Sequence, residues 1–256
     1  FYSKKEFKNY KNIIIHYTGI DKELFYTKLA TILSYLVIDY FETNIIKQIL
    51  YSNYFYFEES EFNTILKLCE ENLYDSSEFS LPNRQLLLFD IFYEYISNHH
   101  SIVLSGFINF RLSKYRKLIE ELVDLSVNEF IIEREYLEFI SLLKLYINSQ
   151  PSSDTIIHVI SFENKILLLD DTMKKISIDK NSLKAKYLSD VSFSTNDYIL
   201  NTLLTLLPKK IHLHIISASG NSEFLNTLQL IFENRIDICY DCNICSMYKK
   251  INIKNN

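Results

Sequence analysis

Glycine and proline are scarce, with three of each in 256 residues. So few backbone breakers leave no glycine-rich cradle for phosphate and favour long helices. Long apolar runs are also missing. None reaches the roughly 18 residues that span a bilayer, and the best candidate, residues 29–40, is interrupted by Thr31, Ser34 and Asp39. No membrane span is therefore expected, and the residues present show no signal peptide. H-E-x-x-H and nucleophile-elbow motifs are absent as well, so no linear signature names a reaction. Charge is nearly balanced: 27 Lys and Arg against 32 Asp and Glu give −5. That balance argues against nucleic-acid binding over the whole surface. Cysteine is limited to four residues, and Cys69 stands far from the rest. A chain that is 48% hydrophobic needs no disulfide staples, so a reducing, cytoplasmic location is the economical expectation.

The other three cysteines lie within seven residues, Cys239-Tyr-Asp-Cys242-Asn-Ile-Cys245. C-x2-C is a common zinc half-site, and Cys239, Cys242 and Cys245 with His214 would complete a Cys3His set. His212 shares the strand face of His214 and is the substitute ligand. An iron–sulfur cluster lacks an obvious fourth cysteine. A C-x2-C redox pair with a resolving thiol and a set of partly buried structural thiols remain open beside the metal reading.

Apolar periodicity organises the chain into two parts. Asp21 can cap a helix whose stripe runs through Phe25, Leu29, Ile32, Leu36 and Tyr40. Residues 54–57 break the period and read as a buried connector. A second helix opens at Ser60, with Cys69 on its apolar face as a core residue. Pro82 suits the first turn of a third helix. Residues 102–150 are nearly unbroken helix former, as two helices or one kinked helix ending before Pro151.

After the linker Pro151-Ser-Ser-Asp154 the period changes. Residues 155–161 and 166–169 read as strands joined by a turn, with a third short strand near 176–178. Ser194 and Asp197 form a capping-box-like pair, and Pro208 stops that helix. Ile211, Leu213 and Ile215 alternate with His212 and His214 as a half-buried strand. A helix from Ser222 and a last strand to Cys239 complete a βαβ unit, whose strands should be parallel. Their C-terminal ends would bring residues 217–221 beside the cysteines, on the edge that ligand sites of open α/β sheets favour. The expected fold is α+β: a helical domain (1–150), a small mixed α/β domain with the βαβ unit and the cysteines (151–248), and a disordered tail (249–256).

A second group of polar residues draws attention. Arg111 and Tyr115 stand at helical i, i+4 spacing, as do Glu129 and Glu133. Helix packing could bring them together as a structural ion pair or an anion-binding group, with Arg111 largely buried against one of the carboxylates. The basic run Arg111, Lys114, Arg116, Lys117 is followed at once by Glu120, Glu121 and Asp124. It reads as a solvated helix face.

Two blocks carry a resemblance. One is Gly106-Phe-Ile-Asn-Phe-Arg-Leu-Ser-Lys-Tyr115 with Val127-Asn-Glu-Phe130 and Glu133-Arg-Glu-Tyr-Leu-Glu-Phe139. The other is Lys210-Ile-His-Leu-His214 with Thr227, Ile231-Phe232, Arg235 and the three cysteines. From about Asn53 onward the chain resembles the YtxC-like sporulation proteins of endospore-forming Firmicutes. In that pattern a glycine often precedes the second cysteine, where this chain has Asp241. The resemblance implies a role linked to sporulation and supplies no activity. With the motifs it suggests a cytosolic binding or scaffold protein with a protein partner and a zinc-stabilised terminal loop. The alternatives are an enzyme using Arg111, Glu129 and Glu133 on an anionic substrate, and a nucleic-acid-binding factor.

Overall fold

The computed structural model describes residues 2–75, 79–163, 165–177, 194–216 and 221–255. They form two compact units, Phe1–Glu133 and Arg134–Asn256.

The first unit opens with an antiparallel hairpin, β1 (Tyr2–Glu6) and β2 (Lys11–Ile15), exposed along its whole length. Helices follow. α1 (Lys22–Tyr40) starts where the Asp21 carboxylate accepts a 2.9 Å hydrogen bond from the Leu24 amide, as its N-cap position predicts. A 51° bend at Phe41 separates α1 from α2 (Glu42–Asn53). Then come α3 (Glu59–Asp75), α4 (Leu81–Asn98) with Pro82 in its first turn, and α5 (Leu104–Arg111). α6 (Ser113–Ser149) runs for 37 residues. Ile46, Leu50, Ile65, Leu88, Phe92 and Leu122 centre the core, and Cys69 is wholly buried among them. Among the described residues, no single helix is long and apolar enough to cross a membrane.

The second unit holds a four-stranded mixed sheet. β3 (Ile156–Phe162) and β4 (Lys165–Leu169) pair antiparallel; β5 (Lys210–Ile215) lies parallel to β3, and β6 (Ile236–Cys239) parallel to β5. The strand order is β4-β3-β5-β6. α7 (Thr195–Leu206) opens on a full capping box between Ser194 and Asp197. α8 (Ser222–Ile231) links β5 to β6 in the expected parallel βαβ unit, and α9 (Asn243–Asn255) follows β6. Strand alternation divides the sheet's two faces. Ile157, Val159, Ile211 and Leu213 turn one way, into a core shared with α6, α7 and α8. His158, His212, His214, Asp237 and Cys239 occupy the opposite parity positions.

Four local expectations are revised. The division between units falls at Glu133 within α6, because Ile140 and Ile147 of that helix pack into the second core rather than ending at a Pro151 linker. Near 176–178 there is a single bridge, Leu169 to Lys175, and residue 178 lies outside the described residues. Phe57 is buried, but Phe55 and Tyr56 are exposed, so 54–57 is only partly a buried connector. Residues 249–255, expected to be disordered, continue α9.

Candidate metal centre

The βαβ unit builds half of a ligand set through backbone pairing alone. His214 of β5 lies directly in register with Cys239 of β6, at the C-terminal ends of two parallel strands. The chain then turns back, and the start of α9 supplies the other half. Cys242 immediately precedes the helix, and Cys245 lies in its first turn. The Cys245 amide donates to Cys242 Sγ at 3.4 Å, so the sulfur occupies the position of an N-cap acceptor. Asp241 is not among the described non-glycine residues with positive φ, which are Glu163, Met173 and Leu207. The loop therefore forms without a glycine before Cys242.

One nitrogen of His214 and the sulfurs of Cys239, Cys242 and Cys245 all lie within 4.8 Å of one another. Cys245 Sγ is 3.8 Å from Cys239 Sγ and 3.7 Å from Cys242 Sγ. His214 Nδ1 is 3.5 Å from Cys242 Sγ and 3.4 Å from Cys245 Sγ. A tetrahedral zinc ion with ordinary bond lengths would separate its sulfurs by about 3.8 Å and a sulfur from a nitrogen by about 3.5 Å. The donor set fits such an ion in number, chemistry and spacing.

Electrostatics suit the same use. Burial, then the nearby rings of His158 and His212, lower the His214 pKa to about 4. The ring is thus neutral at physiological pH and keeps a lone pair for a metal. Burial pushes the Cys245 thiol up to about 11. Burial also raises Cys242, but the amides of Cys245 and Ile244 and the thiols of Cys239 and Cys245 together pull it below the usual thiol value. Beyond the four, His158 Nδ1 lies 2.9 Å from His214 Nε2, and the His158 ring stacks on His212 at 5.2 Å. His212, the proposed substitute, lies outside the cluster and leans towards Asp237 at 4.0 Å. Residues 217–220, expected beside the cysteines, lie outside the described residues. Asn221 bonds instead to the Glu163 carbonyl at 3.0 Å.

The second predicted group is not assembled. Leu112 interrupts the helix between Arg111 and Tyr115, which removes their i, i+4 relation. Arg111 is exposed, its guanidinium 5.6 Å from the Tyr95 ring centroid. Glu129 accepts a 2.8 Å hydrogen bond from Asn72, and Glu133 is exposed. Along α6, Tyr115 and these carboxylates are separated by about 21 and 27 Å at 1.5 Å per residue. Tyr115 is instead fully buried and donates to Glu42, whose carboxylate also pairs with Arg84. Sequence reasoning missed Glu42, Arg84 and His158. For His158 a signal existed, since alternation in residues 155–161 places it opposite the apolar Ile157 and Val159.

A helical unit joined to a mixed α/β unit that ends in a Cys3His cluster defines the architecture. The chain matches the model of the YtxC-like family over residues 27–237, most of its length, and belongs to that family. The match takes in His214 and stops before Cys239. No curated protein and no solved structure matches the chain.

Proposed function

We propose that this chain is a sporulation-associated binding or scaffold protein of the cytosol, with its C-terminal loop held by one zinc ion on His214, Cys239, Cys242 and Cys245. The observation that carries the metal reading is the spacing of the four donors, 3.4–3.8 Å between the atoms that touch. Four protein ligands leave no open position for water or substrate, which is the pattern of structural rather than catalytic zinc. One histidine and three cysteines around a single point suit one ion better than an iron–sulfur cluster. Cysteines clustered as metal ligands rather than as staples suit a reducing compartment. The link to sporulation rests on the family resemblance. A binding role is supported by the exposed aromatics Tyr51, Phe55 and Tyr56 at the end of α2, since tyrosine and other aromatics often anchor interfaces.

Elemental analysis of protein purified anaerobically without a metal-affinity tag tests the site. About one zinc per chain, lost in Cys242→Ser, is expected. Protein carrying neither zinc nor iron overturns the reading.

A further inference from the structure

We infer that His158 is the positioning residue of this centre: it fixes His214 as an Nδ1 ligand by accepting the Nε2 proton. The inference rests on the metal reading above and adds a residue that the four-donor set does not contain.

The two ring nitrogens of His214 face different neighbours. Nδ1 points at Cys242 Sγ and Cys245 Sγ, 3.5 and 3.4 Å away. Nε2 points at His158 Nδ1, 2.9 Å away. A metal can bind only the nitrogen that carries a lone pair, so in a neutral ring the proton must sit on the other. Binding at Nδ1 therefore places the proton on Nε2, and His158 Nδ1 is its acceptor. His158 must then hold its own proton on Nε2. His214 is 3% exposed, so without His158 this N–H would have to be buried unpaired or the ring would have to turn. Turning would withdraw Nδ1 from the sulfurs.

The fold holds His158 in place for this task. It sits on β3, in register with His212 and diagonal to His214 across the parallel pair. Its ring stacks against both neighbours, each at 5.2 Å between centroids. Carboxylates or backbone carbonyls commonly orient metal-bound histidines. A neutral imidazole differs in one respect. A divalent ion on three thiolates already carries a net charge of about −1, and His158 adds no further negative charge beside it.

The test uses the full chain with zinc and with cobalt(II) as a spectroscopic substitute. His158→Phe keeps a flat ring against His212 and removes the acceptor. His158→Gln restores a carbonyl acceptor. Zinc affinity, measured by competition with a chromophoric chelator, should fall about 10–100-fold in His158→Phe and recover substantially in His158→Gln. The cobalt ligand-field bands should shift in the first variant and return towards wild type in the second. Long-range proton–nitrogen NMR on the zinc-loaded, unmodified protein should find the His158 proton on Nε2, leaving its Nδ1 free to accept from His214, which decides the matter even if His158→Phe does not fold. Wild-type affinity and spectrum in His158→Phe, or a His158 proton on Nδ1, overturns the role of His158 while leaving the metal site standing. A wild-type chain that binds neither metal overturns both.

Discussion

Glu42 and Arg84, 42 residues apart in the chain, form a buried ion pair in the helical unit, and Tyr115 donates a hydrogen bond to the same carboxylate. Arg84 Nε also donates to the Phe79 carbonyl at 2.7 Å. The group is closed: one carboxylate, one guanidinium and one phenol, each turned on the others. Removing one charge strands the other in the core. Arg84→Met should therefore lower unfolding free energy by about 3–5 kcal/mol, and the double variant Glu42→Leu/Arg84→Met should regain much of the loss. Arg111→Met, at an exposed cation–π contact, should change stability by no more than about 1 kcal/mol. Urea denaturation of the three variants decides this. Equal damage from Arg84→Met and Arg111→Met would refute the assignment of the buried pair.

Stability should fall in alkali. Burial, then the Glu42 carboxylate, raises the Tyr115 pKa well above its ordinary value. Burial and the hydrogen bond to Asp124 do the same for Tyr54. A phenol with a raised folded pKa contributes its full stabilisation below the unfolded value of about 10 and loses it as pH climbs through the folded one. Denaturation at pH 8, 9.5 and 11 should show a steady decline above about pH 10. Tyr54→Phe should cost about 1 kcal/mol at pH 8, and its gap to wild type should narrow at pH 11. A gap that is constant across the series would mean that Tyr54 carries no such linkage.

Cys69 should be inert while the protein is folded. Its side chain is wholly buried, and burial pushes its thiol up to about 11, so both access and thiolate are scarce. After iodoacetamide treatment, mass spectrometry of the native chain should find Cys69 unmodified. In denaturant it should react like the other cysteines. Labelling of Cys69 in the native chain as fast as Cys242 would contradict its placement in the core.

Neighbouring aromatics at the α2–α3 connection should behave differently. Tyr54 bonds to Asp124 at 2.7 Å, whereas Phe55 and Tyr56 are exposed. Tyr54→Ala should destabilise the chain by about 2 kcal/mol or more, from lost burial and an orphaned partner. Tyr56→Ala should leave the melting temperature nearly unchanged and weaken capture of a protein partner. Melting curves with co-purification from sporulating cells give both readouts. Unchanged capture by Tyr56→Ala would remove this patch from the proposed interface.

Features set by short-range pattern were readable in the chain. The Asp21 cap, the Ser194–Asp197 capping box, Pro82 in the first turn of α4 and the parallel βαβ unit each depend on residues close in sequence. The same logic placed His214 on a face that could meet the cysteines. Long-range partners were not readable. Glu42, Arg84 and Tyr115 come from three helices, and nothing in their local spacing ties them together. His158 needs the strand order: only with β3 beside β5 does a histidine 56 positions earlier reach His214. Arg111 was misplaced because the break at Leu112 carries neither glycine nor proline. The hairpin Tyr2–Ile15 was not readable because neither of its exposed strands alternates apolar and polar residues.

The register between His214 and Cys239 has a consequence for the order in which the chain matures. Those two donors are brought together by parallel strand hydrogen bonds across a helical crossover, a non-local pairing that must form before they can meet. Cys242 and Cys245 follow Cys239 within six residues. A cation would therefore meet a template that is half built, and would be captured late rather than directing the collapse of the sheet. Its main effect would fall on α9, whose first turn contains Cys245 and is capped by Cys242. Starting a helix is the unfavourable step in its formation, and an ion at that point would nucleate it. Chelation should then release the last helix first, while the strands beneath it persist.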